Sequence, residues 1–214
     1  MKNQLIVITF FLLSLSASSQ SFEQILRDAY LNFEQSDTLQ SKINAANRLD
    51  LIAARYPDQW TGFYYSTYAK VVISYLLKEE KQRDGLLDRA ESSLTKAKSL
   101  TKNNEELLIM DAYIANARLA VKPKERYKKY GEIFDRKLEE AASLNPGNPR
   151  IHYLKAQSIF HTPKAFGGGA KKALPLFEKA AMLFEKESTD DLAKPYWGKA
   201  ANTYYINECK KIVK

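Results

Sequence analysis

Beyond its first twenty residues, the chain carries apolar side chains at helical spacing almost throughout. Phe22, Ile25, Leu26, Ala29, Tyr30 and Phe33 fall on one stripe of a 3.6-residue helix, which predicts a first helix over about 21–36. Ser36-Asp37-Thr38 then offers a break and N-cap oxygens. A second helix follows over about 38–55, carrying Ala45, Leu49, Ile52 and Ala53 up to Tyr56-Pro57. Prolines are confined to positions 57, 123, 146, 149, 163, 175 and 195, and glycines are few. Val71-Val72-Ile73 is a short β-branched patch with no long run around it. The pattern is that of an all-α protein.

One arrangement of small and large apolar residues returns four times. Ala45-Leu49-Ile52, Ala90-Leu94-Ala97, Phe134-Leu138-Ala141 and Ala173-Phe177-Ala180 share the spacing x, x+4, x+7, with Phe134 large where the others are small. Their third members stand at 52, 97, 141 and 180, so the steps are 45, 44 and 39 residues. A near-constant step means stacked units, here four helix pairs or three and a half plus a cap. The stretch from Asn145 to Phe184 shows one whole unit: N-P-G-N-P, a helix, a glycine turn, and the helix of the fourth triplet.

That A-x3-F-x2-A spacing, entered through N-P-G-N-P, resembles the tetratricopeptide (TPR) repeat. Pro57 and Pro146 close two repeats at the family position; Ala112 and Ala156 stand in frame where the following helix wants a small residue, and Gly198 does so after a short insertion at Ser188-Thr189-Asp190. The step is longer than the 34 residues of the family, and the full W-x2-L-G-x2-Y signature is absent. Extra residues near 79–84 and 122–129 would lengthen the paired helices. The resemblance implies a right-handed α-solenoid of about four antiparallel helix pairs, a single domain over 20–214.

The N-terminus changes the setting. Met1-Lys2-Asn3, an apolar run from Leu5 to Leu15 and Ser16-Ala17-Ser18-Ser19 have the layout of a secretory signal peptide cleaved after Ser19. Roughly 11 apolar residues are too few to span the ~30 Å hydrocarbon core, so no transmembrane segment is expected in the mature chain. Export to the periplasm or cell envelope follows. The formal charge of +8 would fall to +7 with the loss of Lys2. Its lysines are interspersed with acids, which reads as a solvated basic surface and gives no reason to expect nucleic acid. Cys209 stands alone, so helix packing must hold the fold without an internal disulfide.

Candidate chemistry is sparse. Gly167-Gly168-Gly169 before Lys171 at a helix start could hold an anion on backbone N–H groups. The pattern lacks G-x-x-x-x-G-K-[ST], and a tight left-handed turn explains the glycines equally well. Similar P…GG…KA turns occur in exported bacterial TPR-like proteins, including the helical component of some TRAP transporters. His152 and His161 are nine residues apart, on opposite faces of a helix, and cannot share a metal. His161 would cap the helix before Thr162-Pro163. No catalytic set assembles, so no enzyme, metal or cofactor is expected.

Carrying the family's frame over, the resemblance implies a concave wall with Tyr64 and Tyr68, then Tyr113 and Asn116. It continues through Tyr153, Gln157 and Phe160 to Lys199 and Asn202. Tyrosines and amides suit an extended peptide, so the expectation is a protein-binding scaffold with a partner in that groove. The alternative is a cleft for an anionic small molecule or polymer, a solute or glycan.

Overall fold

The computed structural model describes residues 21–188 and 194–213, so the signal-peptide segment lies outside the described residues. Among them the chain is all-α. The helices are α1 (Phe22–Gln35), α2 (Leu39–Arg55), α3 (Trp60–Leu76), α4 (Glu80–Leu100), α5 (Glu105–Val121), α6 (Pro123–Leu144), α7 (Pro149–His161), α8 (Ala170–Phe184) and α9 (Lys199–Val213). Local chemistry sets the breaks. Ser21 accepts from the Gln24 amide to start α1, and Thr38 and Ser41 form a reciprocal capping box that starts α2. Asn104 and Asn148 cap α5 and α7, the latter with Pro149 in its first turn.

Successive helices pack against one another along the chain, and α1 meets α3, α3 meets α5, and α5 meets α7. The odd-numbered helices thus form an inner layer, with α2, α4, α6 and α8 outside it. The sequence pattern explains the division. α3 and α5 are buried around most of their circumference, whereas each outer helix buries a single stripe. That stripe is the recurring triplet: no residue of the four is more than 6 % exposed. Ala112 and Ala156, both fully buried, let neighbouring helices approach.

The residues by which the step exceeds a 34-residue repeat lengthen α4 and α6 to 21 and 22 residues. Their N-terminal turns are clamped by charge. Arg126 donates to both Asp84 oxygens at 2.7 and 2.8 Å, and Arg118 reaches Asp84 at 3.0 Å and also Asp88. Arg126 first, and then Arg118, lower the Asp84 carboxyl to about 2 against the cost of its partial burial.

Inside the stack a second polar knot joins α5, α7 and the segment before α9. Buried Arg150 meets buried Glu106, with its Nε 2.9 Å from one carboxylate oxygen, and reaches Glu187 at 2.6 Å. Tyr64 donates to Glu106 at 2.7 Å, and Arg150 donates to the Trp197 carbonyl at 3.3 Å. A buried charge needs such partners, and removing one leaves the other stranded.

Candidate functional site

The four tyrosines expected on an open concave wall are all covered. Tyr64, Tyr68, Tyr113 and Tyr153 are each no more than 6 % exposed. The cover is the chain itself. Lys194–Gly198 runs along the inner layer into α9, turned by Gly198 at φ +103°, where a Cβ would lie 3.0 Å from the Phe184 ring. Trp197 sinks between Tyr68, at 4.9 Å, and Tyr113, at 5.3 Å, and its indole N–H donates to the Tyr64 hydroxyl. Tyr196 packs on Tyr30 and Tyr65 in the same way. Half of the wall is therefore an aromatic core rather than an open groove.

The other half is less completely covered. Tyr75 at the end of α3, Asn116 on α5, Gln157 and Phe160 on α7 and Tyr205 on α9 are half-buried side chains beside the covered ones. Tyr75 stacks on Tyr113 at 6.0 Å, and Tyr205 stacks on Phe177, with planes 2° from parallel and centroids 5.2 Å apart. Phe160 meets Tyr205 edge-on. Gln157 donates to the hydroxyls of Tyr153 and Tyr205 at 3.4 and 3.3 Å. Two polar atoms here are buried without a hydrogen-bond partner: Tyr75 Oη and Gln157 Oε1. Unsatisfied polar groups are uncommon in folded interiors and suit a site that something else completes.

Electrostatics adds donors. Burial pushes the phenols of Tyr75, Tyr153 and Tyr205 above their ordinary range, so all three stay protonated at neutral pH. The Arg83 guanidinium acts on Tyr75 in the opposite direction while donating to the carbonyls of Ser74 and Ala120. An aromatic face edged by hydroxyls, an amide and a nearby cation suits a flat, partly apolar ligand with anionic edges.

The remaining expected residues fall elsewhere. Lys199 is exposed and pairs with Glu185 at 3.1 Å. Asn202 is buried, its side-chain amide donating to the Phe177 carbonyl. In the glycine turn, Gly167 and Gly169 adopt φ of +86° and +102°, and a Cβ on Gly168 would sit 2.1 Å from the Thr162 carbonyl oxygen. Their N–H groups are spent on the carbonyls of Lys164, Pro163 and Ile159, which leaves no glycine amide for an anion; Lys171 is exposed on the first turn of α8. His161 does not bond the helix end. Its Nε2 lies 3.1 Å from the Tyr205 hydroxyl.

Comparison with solved structures decides the relationship. The HusA haemophore from Porphyromonas gingivalis superposes with a TM-score of 0.77 at 30% sequence identity, over 91% of this chain and 95% of that one. The chain belongs to the HusA family. No protein-family model matches it, and no curated protein does. The expectation of a protein-binding scaffold is corrected by this result. The HusA relative is a haemophore, which favours a small-molecule cleft, and the peptide groove is filled by Tyr196 and Trp197. Tyr75, Tyr205 and Trp197 were not singled out by the repeat frame. Trp197 had a faint signal in Pro195-Tyr196-Trp197-Gly198, an apolar, proline- and glycine-bounded run just ahead of a helix.

Among the described residues no helix is long and apolar enough to cross a membrane, and no group of three or more His, Cys, Asp or Glu side chains could hold a bare metal ion. Two open, charged depressions of 530 and 480 Å3 lie on the outer helices, around Lys129 and Asp84. Neither presents an aromatic wall.

Proposed function

We propose that this protein is an exported carrier of haem or a closely related tetrapyrrole, held against the half-buried aromatic face of Tyr75, Phe160 and Tyr205. The observation that carries the reading is kinship with a haemophore over nearly the full length of both chains. The face itself supports it. A porphyrin offers a wide apolar ring that gains area against aromatic side chains, and its carboxylates match protonated phenols and basic residues such as Arg83. Binding, not catalysis, is the activity. The signal-peptide layout supports export to the periplasm or cell envelope, and the register of the four triplets supports TPR-like stacking.

The test is an absorbance titration of the mature chain with haem. A saturable Soret shift, lost in a Tyr75→Ala/Tyr205→Ala variant that keeps its helical signal, is the expected result. A Soret band that the wild-type chain leaves as it is in buffer would overturn the reading.

A further inference from the structure

The turn between α7 and α8 carries an aromatic side chain that the fold does not use. Phe166 stands at its tip with 81 % of its surface exposed, more than any other large hydrophobic residue among the described ones. The turn itself is firmly held. The N–H groups of Gly167, Gly168 and Gly169 donate to the carbonyls of Lys164, Pro163 and Ile159, and the Thr162 hydroxyl donates to the Ser158 carbonyl at 2.8 Å. The ring is therefore presented on a stiff support, and little conformational entropy is lost when it enters an apolar phase. We propose that this tip docks the protein on an anionic phospholipid bilayer, with Phe166 in the interfacial layer and the neighbouring lysines on the headgroups.

Charge around the tip has one sign. Lys164, Lys171 and Lys172 are exposed, and among the described residues none of them is paired with a carboxylate. Residues 141–177 contain no Asp or Glu at all. The glycines keep the cations close: a Cβ on Gly167 would lie 3.5 Å from the Lys172 ammonium, and one on Gly169 would lie 3.1 Å from the Lys164 side chain. A second apolar element shares this end of the stack. α8 and α9 are both 15 residues long, and Gly198 meets Phe184 while Tyr205 stacks on Phe177, so α9 runs antiparallel to α8 and ends level with the glycine turn. Its last turn exposes Ile212 and Val213 at 56 and 44 %. A protruding ring beside unpaired cations has the form of an interfacial anchor, in which apolar insertion and headgroup attraction each contribute and neither suffices alone.

Vesicle flotation of the haem-free mature chain tests this independently of the haem reading. The chain should float with phosphatidylcholine vesicles that contain phosphatidylglycerol, stay behind with phosphatidylcholine alone, and bind less as salt rises. Each lysine contributes about fivefold in affinity, so Lys171→Glu/Lys172→Glu should lower binding by well over tenfold. Acids suit the first turn of a helix, so that variant keeps its fold. Phe166→Ala should lower binding by about tenfold. The emission of Phe166→Trp should shift to the blue on the anionic vesicles, read against the wild-type chain with its two tryptophans. A wild-type chain that binds neither vesicle, or both equally, would overturn the proposal. So would full binding by Phe166→Ala with no blue shift in Phe166→Trp, which would leave only a diffuse attraction between lysines and headgroups. Phe166 is exposed, and a melting curve matching wild type confirms that its variants are folded.

Discussion

The indole of Trp197 lies on the ring of Tyr113, with centroids 5.3 Å apart and planes 11° from parallel. The contact joins a segment next to the last helix to the middle of the inner layer, and it makes the expected groove tyrosines part of the core. Trp197 is also tied by its N–H to Tyr64 and by its carbonyl to Arg150. Trp197→Ala should therefore lower stability by about 3–5 kcal/mol, read by chemical denaturation. A loss below about 1 kcal/mol would mean that the segment is a loose cover rather than part of the fold.

Phe177 should matter for two reasons. It is fully buried in the fourth triplet and is the surface on which Tyr205 lies flat. Phe177→Ala is expected to cost about 3–5 kcal/mol. At temperatures where the variant is still folded, it should also weaken haem binding, because Tyr205 loses its support. Phe134→Ala, in the equivalent stripe of α6, should destabilise without that extra effect on binding.

The buried pair of Arg150 and Glu106 gives a polar counterpart. Glu106→Gln strands the Arg150 charge beside Glu187 alone and should cost about 3–5 kcal/mol. Thermal melts across a series of salt concentrations would check this, since screening should do little to a pair so far from water.

Asp84 supplies a pH signature. Its carboxyl is held at about 2 by Arg126 and Arg118, below the unfolded value of about 3.9. A depressed acid contributes stability above its unfolded pKa and loses it as pH falls through the folded one. The melting-temperature gap between wild type and Asp84→Asn should thus be full above about pH 4 and close towards pH 2. A gap that stays constant down to pH 2 would remove Asp84 from the acid transition.

Gly168 tests the turn. Its Cβ would strike the Thr162 carbonyl at 2.1 Å, so Gly168→Ala should destabilise by about 1–3 kcal/mol. Haem affinity measured on the folded fraction should be unaffected if the turn is purely structural.

The helices and their core were legible in the sequence because one-sided burial writes a 3.6-residue period. The four triplets, Pro57, Pro146 and the small residues Ala112 and Ala156 mark the outer stripe and its close approaches directly. The inner layer was harder to read. α3 is apolar around most of its circumference, so periodicity cannot say which of Tyr64, Tyr65, Tyr68 and Tyr75 meets solvent. Which tyrosines are covered depends on Tyr196 and Trp197, more than 100 residues away, a contact that no local pattern carries. The contact of His161 with Tyr205 was hidden for the same reason, since the two are 44 residues apart.

The most direct measurement is a backbone-amide chemical-shift map of the mature chain titrated with a diamagnetic haem analogue, gallium protoporphyrin. Shifts concentrated around Tyr75, Asn116, Gln157, Phe160, His161 and Tyr205, with the outer faces of α4 and α6 silent, are the predicted result. A ligand that leaves those amides unmoved, or gathers at the charged depressions around Lys129 and Asp84, would contradict the aromatic face as the haem site.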